Sequence, residues 1–292
     1  MALAEAEQRD HAAQARMVLR EPGPQERDAR RWQQRRWLIE RSLAAGVPLV
    51  LLALWQAGVW AGTIDRRFFG SPVTVVQTAL RLIETGTLQS HLEASVYRLL
   101  MGYGIGVAIG IPVGLVLGQI RLARAAFEPL LNALYVVPKL ALLPILLLLL
   151  PGREGPLITL VAVAVFFIMA ISSLAAALMT PAGYIDVARS FTASRWVMFR
   201  RVVFANALPQ IFAALRLASG AAVLMLVGSE FVAASSGIGY LVWHSWSLFL
   251  ADQMYVGIIT IALLGVLFSA LIGVLERFSV PWAASEGFKG NG

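Results

Sequence analysis

The candidate functional residues of this chain are charged residues that lie inside apolar stretches. Lys139 lies between Pro138 and Pro144 in a run that is otherwise apolar. Arg98 and Glu230 lie in two further apolar runs. A charge at membrane depth is costly and is tolerated beside water, a counter-ion or a substrate. We therefore predict that Arg98, Lys139 and Glu230 contribute to a translocation path for a charged or polar solute.

Lys139 is the residue of the three that we expect to face the substrate. The two prolines kink the helix and free backbone carbonyls beside it, which widens the groove around the ammonium group. A second interpretation stays open, because a lysine that snorkels toward the membrane surface or pairs with a carboxylate would be structural.

Other kinds of chemistry have no support in the sequence. It contains no G-x-x-x-x-G-K-[ST] phosphate-binding loop and no G-x-S-x-G nucleophile elbow. The histidines, His11, His91 and His244, are widely separated, and the chain has no cysteine. We therefore expect no catalytic residue, no metal site and no cofactor in this chain, and no ATP hydrolysis by it.

A polar segment with four arginines, residues 180–209, separates two long apolar runs. Apolar residues recur at helical spacing on both sides of a break at 192–194, and Ser194 is placed to cap the second helix. The pattern predicts two short helices joined by a corner. Such a corner on the water side of a bilayer is a surface for another protein.

The elements that position these residues are membrane-spanning helices. The chain has 292 residues, 58% hydrophobic and 14% charged, with a mean hydropathy of +0.72. Spanning a bilayer as a helix takes about 20 apolar residues. The fold class we predict is all-α integral membrane with six transmembrane helices, at about 38–62, 95–119, 129–150, 157–180, 208–232 and 254–278.

The net charge of +7 reflects membrane topology rather than nucleic-acid binding. With the N-terminus inside, seventeen Lys and Arg fall in inside segments and four in outside segments. Cytoplasmic loops carry the excess of basic residues. Both termini are therefore predicted to be cytoplasmic, and the 180–209 segment lies on the same side.

A stripe of glycines marks the second span. Five of them recur at four-residue spacing, which places them on one face of a helix, and small residues allow close helix contact in membranes. Glycine is also common in spanning helices, but the exact register favours packing against another helix of the bundle or of a partner subunit. The five are Gly102, Gly106, Gly110, Gly114 and Gly118.

Two predictions concern segments between spans. Ser71 and Pro72 have the types found at the cap and first position of a helix, so an external amphipathic helix is expected from there to near Gly86. Residues 235–240, rich in Ser and Gly, are expected to form a flexible loop.

The 180–209 segment resembles the EAA loop of binding-protein-dependent ABC importer permeases, which reads Glu-Ala-Ala, then Gly, then Leu-Pro. Here Asp186 stands for the glutamate, Val187 for the first alanine and Thr192 for the glycine, before Leu208-Pro209. Because a β-branched residue disfavours positive φ, we expect a differently shaped corner. The resemblance assigns ATPase coupling to Asp186, Ala188, Arg189, Thr192, Ala193, Ser194 and Arg195.

Other matches point to the nitrate/sulfonate/taurine branch of these permeases, and the resemblance covers about residues 45–282. The matching stretches are Phe68-Phe69-Gly-Ser-Pro72, Ser95-x-x-Arg98, Pro138-Lys139-x-Ala141-Leu142-x-Pro144, Glu230 with Ser236-Gly-Ile-Gly-Tyr-Leu241, and Leu275-Glu276-Arg277.

The resemblance implies a type I ABC importer permease fold that works as a dimer in the bacterial inner membrane. Its expected partners are a second permease copy, a cytoplasmic ATPase dimer that binds ATP and Mg, and a periplasmic or lipid-anchored binding protein. Its expected cargo is a small anion or related polar nutrient.

The expected organisation is a basic arm at 1–36, a permease domain at 37–282 with its coupling loop at about 180–207, and a tail at 283–292. The alternative function is an ion-coupled secondary transporter acting without an ATPase. Against it, the sequence has no carboxylate in the middle of a span, since Glu230 lies near the outer end of its span, and it has no obvious inverted repeat.

Overall fold

The computed structural model describes residues 29–281 of the chain, which divides into two units, Met1–Ile64 and Asp65–Gly292. In the first unit, α1 (Ala29–Trp60) contains Pro48, and its Ile39–Trp60 part is long and apolar enough to cross a membrane. Most of the predicted arm and the predicted tail lie outside the described residues.

The described part of the second unit is helical and contains no strand. Its elements in chain order are α2 (Arg66–Phe69), α3 (Pro72–Glu84), α4 (Thr87–Gln119), α5 (Arg121–Val136), a 3₁₀ turn (Lys139–Leu142), α6 (Leu143–Leu149), α7 (Glu154–Leu178), α8 (Ala182–Ser190), α9 (Arg195–Met198), a π-helical turn (Phe199–Val203), α10 (Phe204–Ala233), α11 (Ile238–Ser247) and α12 (Ala251–Ser279).

The helices agree with the predicted spans. Among the described residues, five helices are long and apolar enough to cross a membrane, and a bent pair makes a sixth if it counts as one span. The pair is α5 with the 3₁₀ turn and α6, bent by 90° at a short break. Pro138, within this break, has no N–H to continue the ladder of α5. The all-α prediction is confirmed, with the third span broken rather than straight.

The amphipathic helix between the first two spans is α3. Ser71 Oγ accepts a hydrogen bond from the Thr74 N–H (3.4 Å), and Pro72 occupies the first turn. The helix ends at Glu84, close to the predicted end. One face buries Val75 and Leu82, and a second apolar face, with Val73, Val76, Leu80 and Ile83, is exposed.

The glycine stripe of α4 lies against α7. A Cβ atom built on any of the five would come within 3 Å of an α7 atom. At Gly110, for example, it would lie 2.8 Å from the Phe166 carbonyl oxygen and 2.8 Å from Met169 Cβ. Gly104, on another face of α4, has no such neighbour within 4 Å. The two helix backbones are therefore in close contact along most of their length.

The core of the unit lies where α10 packs on α4 and α7. Small alanines of α10, Ala214, Ala218 and Ala222, are buried there. The Tyr103 hydroxyl of α4 donates to the Leu215 carbonyl oxygen of α10 at 2.8 Å. This packing fixes the relative positions of three helices that carry the charged residues described next.

Candidate functional site

Arg98 and Glu230, predicted separately from the sequence, form a buried ion pair. Arg98 lies on α4 and is 1% exposed, while Glu230 lies near the end of α10 and is 0% exposed. The Arg98 guanidinium donates from Nη1 to Glu230 Oε1 at 2.7 Å. Two buried charges are tolerated when they are paired and their remaining hydrogen-bonding groups are satisfied.

All five N–H donors of Arg98 are used. Glu154, at the start of α7, accepts two parallel bonds, from Nε (2.6 Å) and Nη2 (2.8 Å). Ser236, between α10 and α11, accepts two more, through its carbonyl oxygen (2.6 Å) and its hydroxyl (2.9 Å). A guanidinium has five donors in a fixed fork, so this site leaves none unpaired.

Glu230 is satisfied by neighbours from two elements besides Arg98. The Ser95 hydroxyl donates to it at 2.8 Å, and the Gly239 N–H donates at 2.8 Å. Ser95 Oγ in turn accepts from the Ile238 N–H at 2.7 Å. The carboxylate therefore caps the first turn of α11, where backbone N–H groups lack helical partners.

Two glycines allow the connection to approach this carboxylate. Gly237 has a φ of 113°, a conformation that residues with a Cβ rarely adopt. A Cβ on Gly239 would lie 2.8 Å from Glu230 Cβ. The prediction of a flexible loop over 235–240 is wrong, because residues 237–239 are buried and hydrogen-bonded, and α11 begins at Ile238. The small Ser and Gly residues of this connection allow it to pack closely against Glu230 and Arg98.

We call this set the ion network: Ser95, Arg98, Glu154, Glu230, Ser236 and Gly239. It joins α4, α7, α10 and the start of α11 at one end of the helix bundle. Sequence reasoning missed Glu154 as a partner of Arg98. The available signal was its position as an acidic residue at the start of a long apolar run.

Lys139 is not part of the ion network. It begins the 3₁₀ turn, and its ammonium group donates to the Tyr135 carbonyl oxygen at the end of α5. The same nitrogen lies 4.7 Å from the Tyr135 ring centroid and 5.3 Å from that of Phe167. Within the described residues it forms no ion pair with a carboxylate, and its hydrogen-bond partner is a carbonyl group in the last turn of α5. Its place in a translocation path stays a prediction, as do those of Arg98 and Glu230.

The predicted corner between two short helices is formed by α8 and α9. Ser194 Oγ accepts from the Val197 N–H at 3.3 Å, which makes it the cap of α9. Thr192 has a φ of 50°, so this threonine holds the left-handed conformation that glycine favours, and the expected change of corner shape is not required. The Ala193 N–H donates to the Ala188 carbonyl at 3.1 Å and closes the turn.

The surface of this corner is apolar and exposed. Phe191 is 80% exposed and Trp196 is 66% exposed, and no residue of α8 is buried. The ion pair of Arg189 with Asp186 (3.5 Å) lies within one helix and is open to solvent. Large aromatic side chains exposed together on an otherwise polar segment are typical of a protein–protein contact. The predicted coupling residues thus lie on a surface that nothing in this chain covers among the described residues.

Corner and ion network are connected by one helical run. After α9 the chain makes the π-helical turn Phe199–Val203, where the Phe204 N–H donates to the Phe199 carbonyl, and continues as α10 to Ala233. The run Arg195–Ala233 has 39 residues. The sequence did not predict this continuity.

In the part of the chain that the structure describes, no cluster of three or more His, Asp or Glu side chains is arranged to hold a metal ion. The described residues provide an exposed contact surface at one end of a long helix. Near the other end they provide a cluster in which buried Arg98 pairs with buried Glu230 and with half-exposed Glu154. Such a pair of features suits a protein that changes conformation under the influence of a partner.

Comparison with known proteins gives a consistent result. The family described as "Binding-protein-dependent transport system inner membrane component" matches residues 106–281. The taurine transport system permease protein TauC of Escherichia coli is 30% identical over 254 residues, covering 85% of this chain and 92% of that protein. The nitrate import permease protein NrtB of Synechocystis is 28% identical over 241 residues, covering 80% and 86%.

A similar fold is found in a solved structure. A chain of the MetNI methionine ABC transporter, in inward-facing conformations, matches with a TM-score of 0.56 and 20% identity. The match covers 65% of this chain and 94% of that chain.

Proposed function

This chain belongs to the family of binding-protein-dependent transport system inner membrane components, and from that premise we propose that it carries a small oxyanion or related polar nutrient, of the taurine, sulfonate or nitrate kind. It is a multi-pass permease subunit of an ABC importer and not an enzyme, because ATP hydrolysis in this family lies in separate subunits. The family also implies an external binding protein as a partner. Ion-coupled transport without an ATPase has no support.

The proposed substrate class is supported by the sequence similarity to TauC and NrtB, which extends over four fifths or more of the chain. Their names cite taurine, which carries a sulfonate, and nitrate. Both groups are compact anions that present several oxygen acceptors. A cation at the path would lower the barrier to such an ion without trapping it, which suits a permease whose affinity comes from a binding protein. Lys139 is our candidate for that cation.

The proposed ATPase contact is the corner of α8 and α9. Its exposed Phe191 and Trp196 supply apolar area, and exposed Asp186, Arg189 and Arg195 supply charge. That combination is the usual anatomy of a protein interface. In this proposal the corner and both termini are cytoplasmic, and a second copy of the chain completes the dimer.

The proposed mechanism follows from the helical run between the corner and the ion network. ATP-driven closure of the ATPase subunits would draw the corners of the two permease copies together. Because the run continues into α10, the movement reaches Glu230 at its far end. Alternation between inward- and outward-open states then requires a rearrangement near the ion network.

The test is uptake by vesicles that contain the permease with its ATPase and binding protein. We expect ATP-dependent accumulation of isotope-labelled taurine or nitrate, competed by other small oxyanions and not by cations of similar size. A binding protein that retains only neutral or cationic solutes would contradict the substrate class. Accumulation driven by a proton gradient without the ATPase would contradict the mechanism.

A further inference from the structure

A cavity of about 630 Å³ lies along α12 and reaches α10, away from the ion network and the corner. Its lining on α12 repeats at positions i, i+4 and i+8, so it follows one face of that helix. The lining residues that matter here are Gly265, Ser269, Ala270 and Gly273, with Arg216 and Arg277 at one end.

The end of the cavity near the α12 C-terminus is positively charged. Arg216, on α10, forms an ion pair with Glu276 of α12. Arg277 lines the same cavity, is exposed, and among the described residues forms no hydrogen bond or ion pair. Two guanidinium groups against one carboxylate leave a net positive charge at this end.

The rest of the cavity is a shallow apolar groove. Glycine, alanine and serine form its floor over the thirteen residues from Gly265 to Arg277, whose ends are about 18 Å apart along a helix. A Cβ on Gly265 would lie 3.9 Å from Val223 Cγ1 of α10, so the floor of the groove is where the two helices meet. Val266 beside it is 67% exposed. The groove is open along its length and has room for a chain-like apolar group.

Helix lengths place the charged end at the depth of lipid headgroups. Arg216 lies about 26 Å along α10 from its end at Ala233, and Arg277 lies about 39 Å along α12 from Ala251. The hydrocarbon layer is about 30 Å thick, and about 40–45 Å with the headgroup regions. The arginines thus lie near one membrane surface, and the groove runs from them into the hydrocarbon layer.

We propose that this cavity binds an anionic phospholipid, with the phosphate between Arg216 and Arg277 and an acyl chain along Gly265, Ser269 and Ala270. The ligand class follows from the order of the groups, since a basic site at the surface continues into a narrow apolar groove at hydrocarbon depth. Basic pockets between transmembrane helices are suited to acidic lipid headgroups. A free phosphate ion would use the charged end alone and would leave the groove without an occupant.

The first experiment measures thermal unfolding of the purified permease with its ATPase subunits while phosphatidylglycerol is added. We expect phosphatidylglycerol to raise the unfolding temperature, and phosphatidylcholine or inorganic phosphate to do so weakly. In Arg277→Gln, half of the rise should need about fivefold more phosphatidylglycerol, because one basic residue near the surface is lost. Arg121→Gln, an exposed arginine outside the cavity, is the matched control and should behave as wild type.

A groove variant separates headgroup binding from acyl-chain binding. Ser269→Leu fills the apolar part and leaves both arginines in place, so it should also weaken the response to phosphatidylglycerol. Leu271→Phe, which lies on α12 outside the cavity and is exposed, should leave it unchanged. An equal response to phosphatidylcholine, or a wild-type response of Arg277→Gln, would overturn the proposal. A response to inorganic phosphate as large as that to the lipid would indicate an anion site only.

The remaining occupant to exclude is a second copy of this chain. The chain has no cysteine, so Val266→Cys gives a single thiol beside the groove. We expect a maleimide to label it more slowly when phosphatidylglycerol is present. Disulfide-linked dimers formed in high yield through this thiol, with no effect of lipid on labelling, would show that the partner copy covers the groove and would refute lipid binding there.

Discussion

The ion network and the corner of α8 and α9 both contain several charged side chains, but these side chains differ in burial and in the elements they connect. Arg98 and Glu230 are buried, and their hydrogen bonds join four elements. Asp186 and Arg189 are exposed and pair within one helix. The first region is complete within this chain. The second leaves its aromatic surface open, which is expected of a region built for contact with another protein.

Because the two regions differ in burial, mutations in them should have different effects. Damage to the ion network should appear as lost stability of the permease itself, because a buried charge loses its partner. Damage to the corner should leave the permease folded and should appear only when its partner is present.

The largest effect is expected for Arg98→Met. It leaves Glu230 buried without a cation, and breaking a buried ion pair in this way costs about 3–5 kcal/mol. The free energy of unfolding of the purified permease, measured by denaturant titration in lipid–detergent micelles, checks it. Arg189→Met is the matched control, because removing an exposed pair should cost about 1 kcal/mol or less. Equal losses in the two variants would abolish the distinction between the regions.

A comparable effect on binding is expected for Ala188→Asp in the corner. An unpaired charge placed in a packed protein contact should cost about 2–5 kcal/mol of association with the ATPase. The unfolding free energy of the permease alone should not change. Co-purification with the ATPase and substrate-stimulated ATP hydrolysis are the measurements, and Ala188→Ser is the uncharged control. Full ATP hydrolysis in the aspartate variant would exclude this corner as the contact.

A smaller loss is expected where α4 meets α7. Gly110→Leu forces a side chain against Phe166 and Met169, and overpacking of this kind costs about 1–3 kcal/mol. Gly104→Leu, on a face of α4 with no neighbour within 4 Å, should be close to neutral. Thermal unfolding of both variants tests whether the packing of α4, which carries Arg98, on α7 depends on close backbone contact. Similar stabilities for the two leucine variants would show that it does not.

The smallest effect in energy is expected for Lys139→Met, at a charge that belongs to neither region. If the ammonium group lowers the barrier for an anion by about 1 kcal/mol, uptake should fall about fivefold. Dimer formation and basal ATP hydrolysis should stay near wild type, and Lys139→Arg should retain most of the uptake. Wild-type transport by the methionine variant would assign Lys139 a structural role, consistent with its bond to the Tyr135 carbonyl.

The parts of the fold that the sequence predicted are those set by neighbouring residues. The length of an apolar run fixes a span, and the hydroxyls of Ser71 and Ser194 cap their helices by accepting from backbone N–H groups three residues further on. The register of five glycines also depends on one helix only. These features need no knowledge of which other helix lies alongside.

The features that the sequence did not predict depend on residues far apart in the chain. Arg98 and Glu154 are 56 residues apart, and Arg98 and Glu230 are 132 residues apart. Nothing in the local pattern around Arg98 shows which carboxylates it will meet. The connection at 235–240 was predicted wrongly for the same reason, since the hydrogen bonds that hold it come from Glu230 and Ser95, which lie in other elements.

The π-helical turn at Phe199–Val203 also sets an angle. An α-helix advances 100° per residue, and a π turn holds one residue more than the α-helical turn it replaces. The extra residue therefore rotates α9 and its contact surface by about 100° about the helix axis, relative to the face of α10 that packs in the core. The five residues of this turn, Phe199–Val203, thus decide which way the contact surface of α9 faces relative to the core.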